Sequence, residues 1–101
     1  MIIYNITIQV NHSIHDAWLQ WQLKEHIPEI MATNCFKKHQ VLMLLDIDDT
    51  EGSTYAIQFY AESKADYNRY IELYAPLLRK KAADKWHEQF VAFRTLMQVV
   101  H

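Results

Sequence analysis

A chain of 101 residues, 50% of them hydrophobic and 22% charged, is expected to form one domain over residues 1–101, because a length near 100 leaves no room for a second core. Ten Lys and Arg against twelve Asp and Glu give a net charge of −2, which excludes the positive excess needed to bind a phosphate backbone and argues against nucleic acid as a partner. A single glycine, Gly52, excludes the multi-glycine loops that cradle nucleotide phosphates, and no apolar run nears the roughly 18 residues of a membrane span.

The first element runs from Ile2 to Val10. There Ile2, Tyr4, Ile6, Ile8 and Val10 alternate with Ile3, Asn5, Thr7 and Gln9, the period of a strand with one apolar and one polar face. Ser13-Ile14-His15-Asp16 sets a hydroxyl three residues before a carboxylate, a capping-box-like start, and Ile14, Trp18, Trp21 and Glu25 then run down one face of a helix. Pro28 predicts an end or kink near His26, then a short turn through Met31, with Asn34 closing the segment in the left-handed conformation.

Phe36 to Ile47 reads as a second strand. Its centre, Val41 to Leu45, is apolar at every position and predicts burial on both faces, a buried helix being the alternative. Asp48 to Ser53 predicts a hairpin turn, and Thr54 to Ala61 alternates as a third strand. Ser63-Lys64-Ala65-Asp66 repeats the helix-start signal ahead of a stripe of Tyr67, Tyr70, Ile71, Tyr74, Leu77 and Leu78, in which Pro76 predicts a kink or break before the helix ends near Lys85. Phe90 to Val100 is a fourth strand with Val91, Phe93, Met97 and Val99 on its apolar face.

The order is β-α-β-β-α-β, which predicts a ferredoxin-like α+β sandwich with two helices on one face of a four-stranded antiparallel sheet. Placing Ile6, Ile8, Ile57, Phe59, Phe93 and Met97 against the helices leaves Asn5, Thr7, Gln9, Gln58, Tyr60, Arg94 and Gln98 on the open side, beside Ile3, Ala92 and Leu96. A face of that mixed character, next to a strand apolar on both sides, predicts that a second copy covers it in a homodimer.

Three segments, His26 to Thr33, Tyr55 to Tyr60 and Phe90 to Thr95, resemble the signature of a bacterial family of domains of unknown function about as long as this chain. The family is similar to the dimeric α/β-barrel superfamily, which includes cofactor-free antibiotic-biosynthesis-type monooxygenases. The resemblance therefore implies a paired, barrel-forming sheet and no cofactor, and it brings no activity of its own. Asn34 stands where that family commonly has glycine, and Tyr74 where a histidine often precedes Ala-Pro. Related barrels that degrade haem use an Asn on the first strand with a Trp and a His on the second helix. Asn5 matches in type, but no His lies between Asp66 and Lys85, which disfavours haem degradation.

The candidate site residues follow from chemistry at particular places. His26 and Glu29 flank Pro28, where a histidine near neutral pKa beside a carboxylate can act as a general base, or where both groups can satisfy a kinked helix end. His12 and His15 have the spacing of a metal pair without the supporting carboxylates, so no metal site is expected. Arg94, mid-strand, must meet an acid, a carbonyl or a bound anion if it is desolvated, a structural ion pair at a dimer interface being the plain alternative. Asn5, Gln58, Tyr60 and Arg94 would furnish the polar fittings of a largely apolar small-molecule site, with Trp18 against it. The acidic turn of Asp46, Asp48, Asp49 and Glu51 and the basic helix end of Arg79, Lys80, Lys81 and Lys85 read as solvated charge. Cys35 reads as a buried thiol, and an N-terminus without a basic region ahead of a long apolar run predicts a cytoplasmic protein. The function expected is a small-molecule-binding or regulatory assembly module. The alternative is a cofactor-independent monooxygenase- or isomerase-like enzyme acting on a small, partly apolar ligand, with His26 or Tyr60 transferring the proton.

Overall fold

In the computed structural model, which describes residues 1–101, the alternation of the first strand is realised as β1 (Ile2–Asn11), with Tyr4, Ile6, Ile8 and Val10 buried on one side. Two helical pieces follow, α1 (His15–Trp21) and α2 (Ile27–Met31), and then β2 (Lys38–Met43), β3 (Gly52–Ala61), α3 (Lys64–Leu73), α4 (Ala75–Trp86) and β4 (Phe90–Gln98). The strands form one antiparallel sheet in the order β2-β3-β1-β4. This is the ferredoxin-like α+β fold. Its core joins the inner sides of β1 and β3 to Trp18, Ile27, Ile30, Tyr70 and Leu78 from the helices. No helix is long and apolar enough to cross a membrane.

Pairing register decides which side chains reach the helices, because residues directly opposite in an antiparallel ladder share a face. Ile6 lies opposite Arg94, Ile8 opposite Ala92 and Ile2 opposite Gln98, so Arg94, Ala92 and Gln98 point to the helix side. Phe93 and Met97, opposite Thr7 and Ile3, point to the open side with Val91. The face assignment read from the sequence is thus inverted for β4. Both faces of this strand carry apolar residues, and as an edge strand it is only partly covered by helices, so alternation alone does not orient it.

The strand expected over Phe36 to Ile47 shortens to β2, and its apolar centre is not buried on both faces: Leu42, Met43 and Leu45 are exposed in the single chain. Gly52 does not cap the hairpin but opens β3 opposite Asn11, where a Cβ would sit 1.9 Å from the carbonyl oxygen of Val10. Only a residue without a side chain permits that approach.

The two helix-start signals behave differently. Ser63 Oγ accepts from the backbone N–H of Asp66 at 3.2 Å and caps α3, whereas Ser13 lies inside a 3-10 turn, His12–Ile14, and caps nothing. Pro76 breaks the second helix at Tyr74 into α3 and α4, which turns Leu77 of the expected stripe out to solvent. Asn34 adopts the left-handed conformation with φ 61° as expected.

The first helix carries a feature that periodicity does not show. Between α1 and α2 the chain makes a π turn, Gln22–His26, closed by the Ile27 N–H on the Gln22 carbonyl. Pro28 has no N–H to give to the carbonyl four residues back, and its ring crowds that carbonyl, so the wider turn relieves both problems. The turn absorbs one extra residue. His26 therefore takes the inward place on the stripe of Ile14, Trp18 and Trp21 that a regular helix assigns to Glu25, and Glu25 is exposed.

Candidate functional site

Beneath β4, between the inner side of the sheet and the helices, lies a narrow cleft with about 50 Å³ of free volume. Its walls are mostly apolar, from Ile6 and Ile8 on β1, Trp18 on α1, Ile30 on α2, and Phe90 and Ala92 on β4. Its polar groups are Gln22 and His26 from the π turn, Arg79 from α4 and Arg94 from β4, with the hydroxyls of Tyr4 and Tyr70. Gln22 and His26 are only 4% and 9% exposed, while both arginines are exposed and stand at the mouth.

The two arginines meet at one oxygen. Arg79 Nη2 and Arg94 Nε each donate to the Tyr4 hydroxyl at 3.1 Å, which leaves the Tyr4 proton free to be donated. The donor nitrogens are then within about 6 Å of each other, and like charges at that distance repel by about 0.7 kcal/mol in water and about 3 kcal/mol at an effective dielectric of 20. No acid offsets this. Neither guanidinium is in an ion pair, no Asp or Glu lines the cleft, and Glu29 is held outside by Lys81 Nζ at 2.8 Å. Burial pushes the phenols of Tyr70 and Tyr67 above their ordinary range, so both stay neutral.

Burial also decides the state of His26. Desolvation lowers its pKa from 6.5 to about 4, against a smaller upward pull from Glu29, so the ring is neutral at pH 7. The imidazole stacks on Trp21 with centroids 4.4 Å apart, and its Nδ1 is buried with no hydrogen-bond partner. An orphaned polar atom of this kind costs about 1–3 kcal/mol.

The family model described as Domain of unknown function (DUF4286) matches residues 1–100. The chain belongs to this family. No curated protein matches it. Among solved structures, an ethyl tert-butyl ether d (EthD) family protein from Bacillus halodurans C-125 superposes with a TM-score of 0.71 at 9% identity, over 99% of this chain and 100% of that one. A protein assigned as a possible antibiotic biosynthesis monooxygenase from Nitrosomonas europaea gives a TM-score of 0.70 at 10% identity over the whole of both chains. A dimeric ferredoxin-like protein from an uncultured marine organism gives 0.64 at 11% identity, over 100% of this chain and 96% of that one. At such identities the likeness shows the shared fold.

The DUF4286 fold divides the residues singled out from the sequence into three places. Trp18, His26 and Arg94 line the cleft. Asn5, Gln58 and Tyr60 sit on the opposite, open face in a ladder of side chains: Gln58 Nε2 donates to Asn5 Oδ1 at 3.3 Å, and the Tyr60 hydroxyl lies 3.0 Å from Gln58 Oε1 and 3.2 Å from Gln40 Oε1. Glu29 lies on the outer helix surface with Lys81. The cleft, open-face and outer-surface residues therefore cannot share one ligand. His12 and His15 also separate: His12 Nε2 is 2.9 Å from the Asp49 carbonyl, while His15 bridges Asp16 and the Tyr55 hydroxyl. No group of three or more His, Cys, Asp or Glu side chains converges anywhere.

Three cleft residues were not visible as such in the sequence. Tyr4 reads as apolar by its place in the alternation, although a buried phenol on a central strand calls for a hydroxyl partner. Gln22 stands out only once the π turn is known. Arg79 is hidden in a basic run that otherwise is solvated.

Proposed function

We propose that the protein is a small-molecule-binding module that works as a homodimer, with its ligand in the cleft beneath β4. The observation that carries the reading is His26, whose ring lines the cleft and whose buried Nδ1 has no partner, since a ligand that reaches that nitrogen removes the cost of leaving it unpaired. Pairing is supported by the open face, where Val91 and Phe93 are exposed, and by the fold shared with a dimeric ferredoxin-like protein. The reading includes a cytoplasmic setting, with which the buried free thiol of Cys35 agrees, and no cofactor. Native mass spectrometry of the protein as purified tests it: two chains carrying a small molecule are expected, and a ligand-free monomer overturns it.

A cofactor-independent monooxygenase- or isomerase-like activity is the second reading, favoured by His26 and Arg94 lining the same cleft. It ranks below binding because an imidazole with a pKa near 4 is a weak base at neutral pH, and Tyr60 faces away. His26→Ala separates the two. Under the binding reading the variant weakens ligand-dependent thermal stabilisation and the wild type leaves its ligand chemically unchanged, whereas under the enzymatic one the wild type consumes its ligand and the variant does not.

A further inference from the structure

We infer that the cleft takes a small, largely apolar molecule whose carboxylate is held at the mouth between Arg79 and Arg94, leaving its other end free to reach His26; this rests on the reading of the cleft as a ligand site. The first argument is the unspent donor capacity. A guanidinium offers five N–H groups, and each of these two gives one of them to the same neutral hydroxyl and none to an acid. Two like charges brought to one oxygen, with no carboxylate of the protein between them, form a gap in charge that an anion fills. The Tyr4 proton, free because its oxygen already accepts twice, supplies a third donor at the same point.

The second argument is the wall behind the mouth. Ile8, Phe90 and Ala92 favour an apolar body over a fully hydrated anion such as phosphate, and about 50 Å³ restricts that body to a few carbon atoms unless the helices give way. A carboxylate also suits the flat, two-pronged donors of Arg.

The probes are butyrate and butyramide, which differ in charge and scarcely in shape, titrated into the full-length protein and followed by backbone amide NMR. Butyrate should shift the resonances of the cleft residues and bind at least about tenfold more tightly than butyramide. Arg79→Met and Arg94→Met keep the aliphatic stems at exposed positions, and each should cut that preference several-fold, weakening butyrate more than butyramide because only butyrate loses a charge-assisted contact. Equal binding of the two probes overturns the carboxylate assignment and leaves the cleft a ligand site. Preference for butyrate that is undiminished in both variants places the anion elsewhere and also overturns it. If neither probe moves a cleft resonance in the wild type, the ligand-site reading falls as well. The wild-type comparison stands whether or not the variants fold, and spectra of the unliganded variants show whether they do.

Discussion

His26 keeps a neutral ring where a charged one is costly, and this has a measurable pH signature. Its folded-state pKa of about 4 lies below the ordinary 6.5, so as pH falls the unfolded chain takes up the proton first and stability drops below pH 6.5. Between about pH 7.5 and about pH 5 this one group should cost about 2 kcal/mol. Urea unfolding at the two pH values measures the loss. In His26→Phe, which retains an aromatic ring against Trp21 and cannot titrate, the drop should shrink by that amount; an unchanged drop would show that the ring is not desolvated. At this scale the sequence was legible in part. Arg94 announces itself as a charge within a mostly apolar strand and His26 by its place beside Pro28 and Glu29, whereas Tyr4 and Arg79 gain their meaning from a meeting of residues 75 positions apart.

Helix capping shows what a local motif can and cannot specify. The same Ser-x-x-Asp signal occurs at Ser63 and Ser13, but only Ser63 Oγ reaches the N–H of its Asp. Ser63→Ala should therefore cost about 1 kcal/mol and Ser13→Ala close to nothing, read as shifts in the denaturation midpoint. The difference arises because the chain leaves β1 directly into a 3-10 turn, so residue 13 is already helical when a cap would need it extended. The same limit explains the other elements. Strict alternation on β1 and β3 made the central strands readable, and the two prolines correctly marked both helix interruptions. The orientation of β4 was not readable, since Val91, Phe93 and Met97 compete with Ala92 and Leu96, and the ladder to β1 makes the choice. Nor was the phase of the first helix beyond Trp21, because a fixed period of 3.6 has no place for a wide turn.

Taken whole, the molecule has two dissimilar sides of one sheet. The helix side contains the cleft, and the open side combines the ladder from Asn5 to Gln40 with exposed apolar groups at its border, Phe93 the most prominent at 68% exposed. If that side is where two copies meet, Phe93→Asp sets a carboxylate into the contact and should convert a dimer to a monomer in light scattering behind size exclusion. The variant is expected to keep its fold because Phe93 lies outside the core. An unchanged dimer would move the interface elsewhere. The π turn, finally, bears on the length of the chain itself. Trp18 and Ile30 are twelve positions apart yet line the same cleft, as residues eleven apart do on a regular helix. One residue between them is thus surplus to the helical count. A chain shorter by one in this stretch presents the same inward face on an unbroken helix, so the stretch 22–26 is where related chains can differ in length by a residue without rephasing their core.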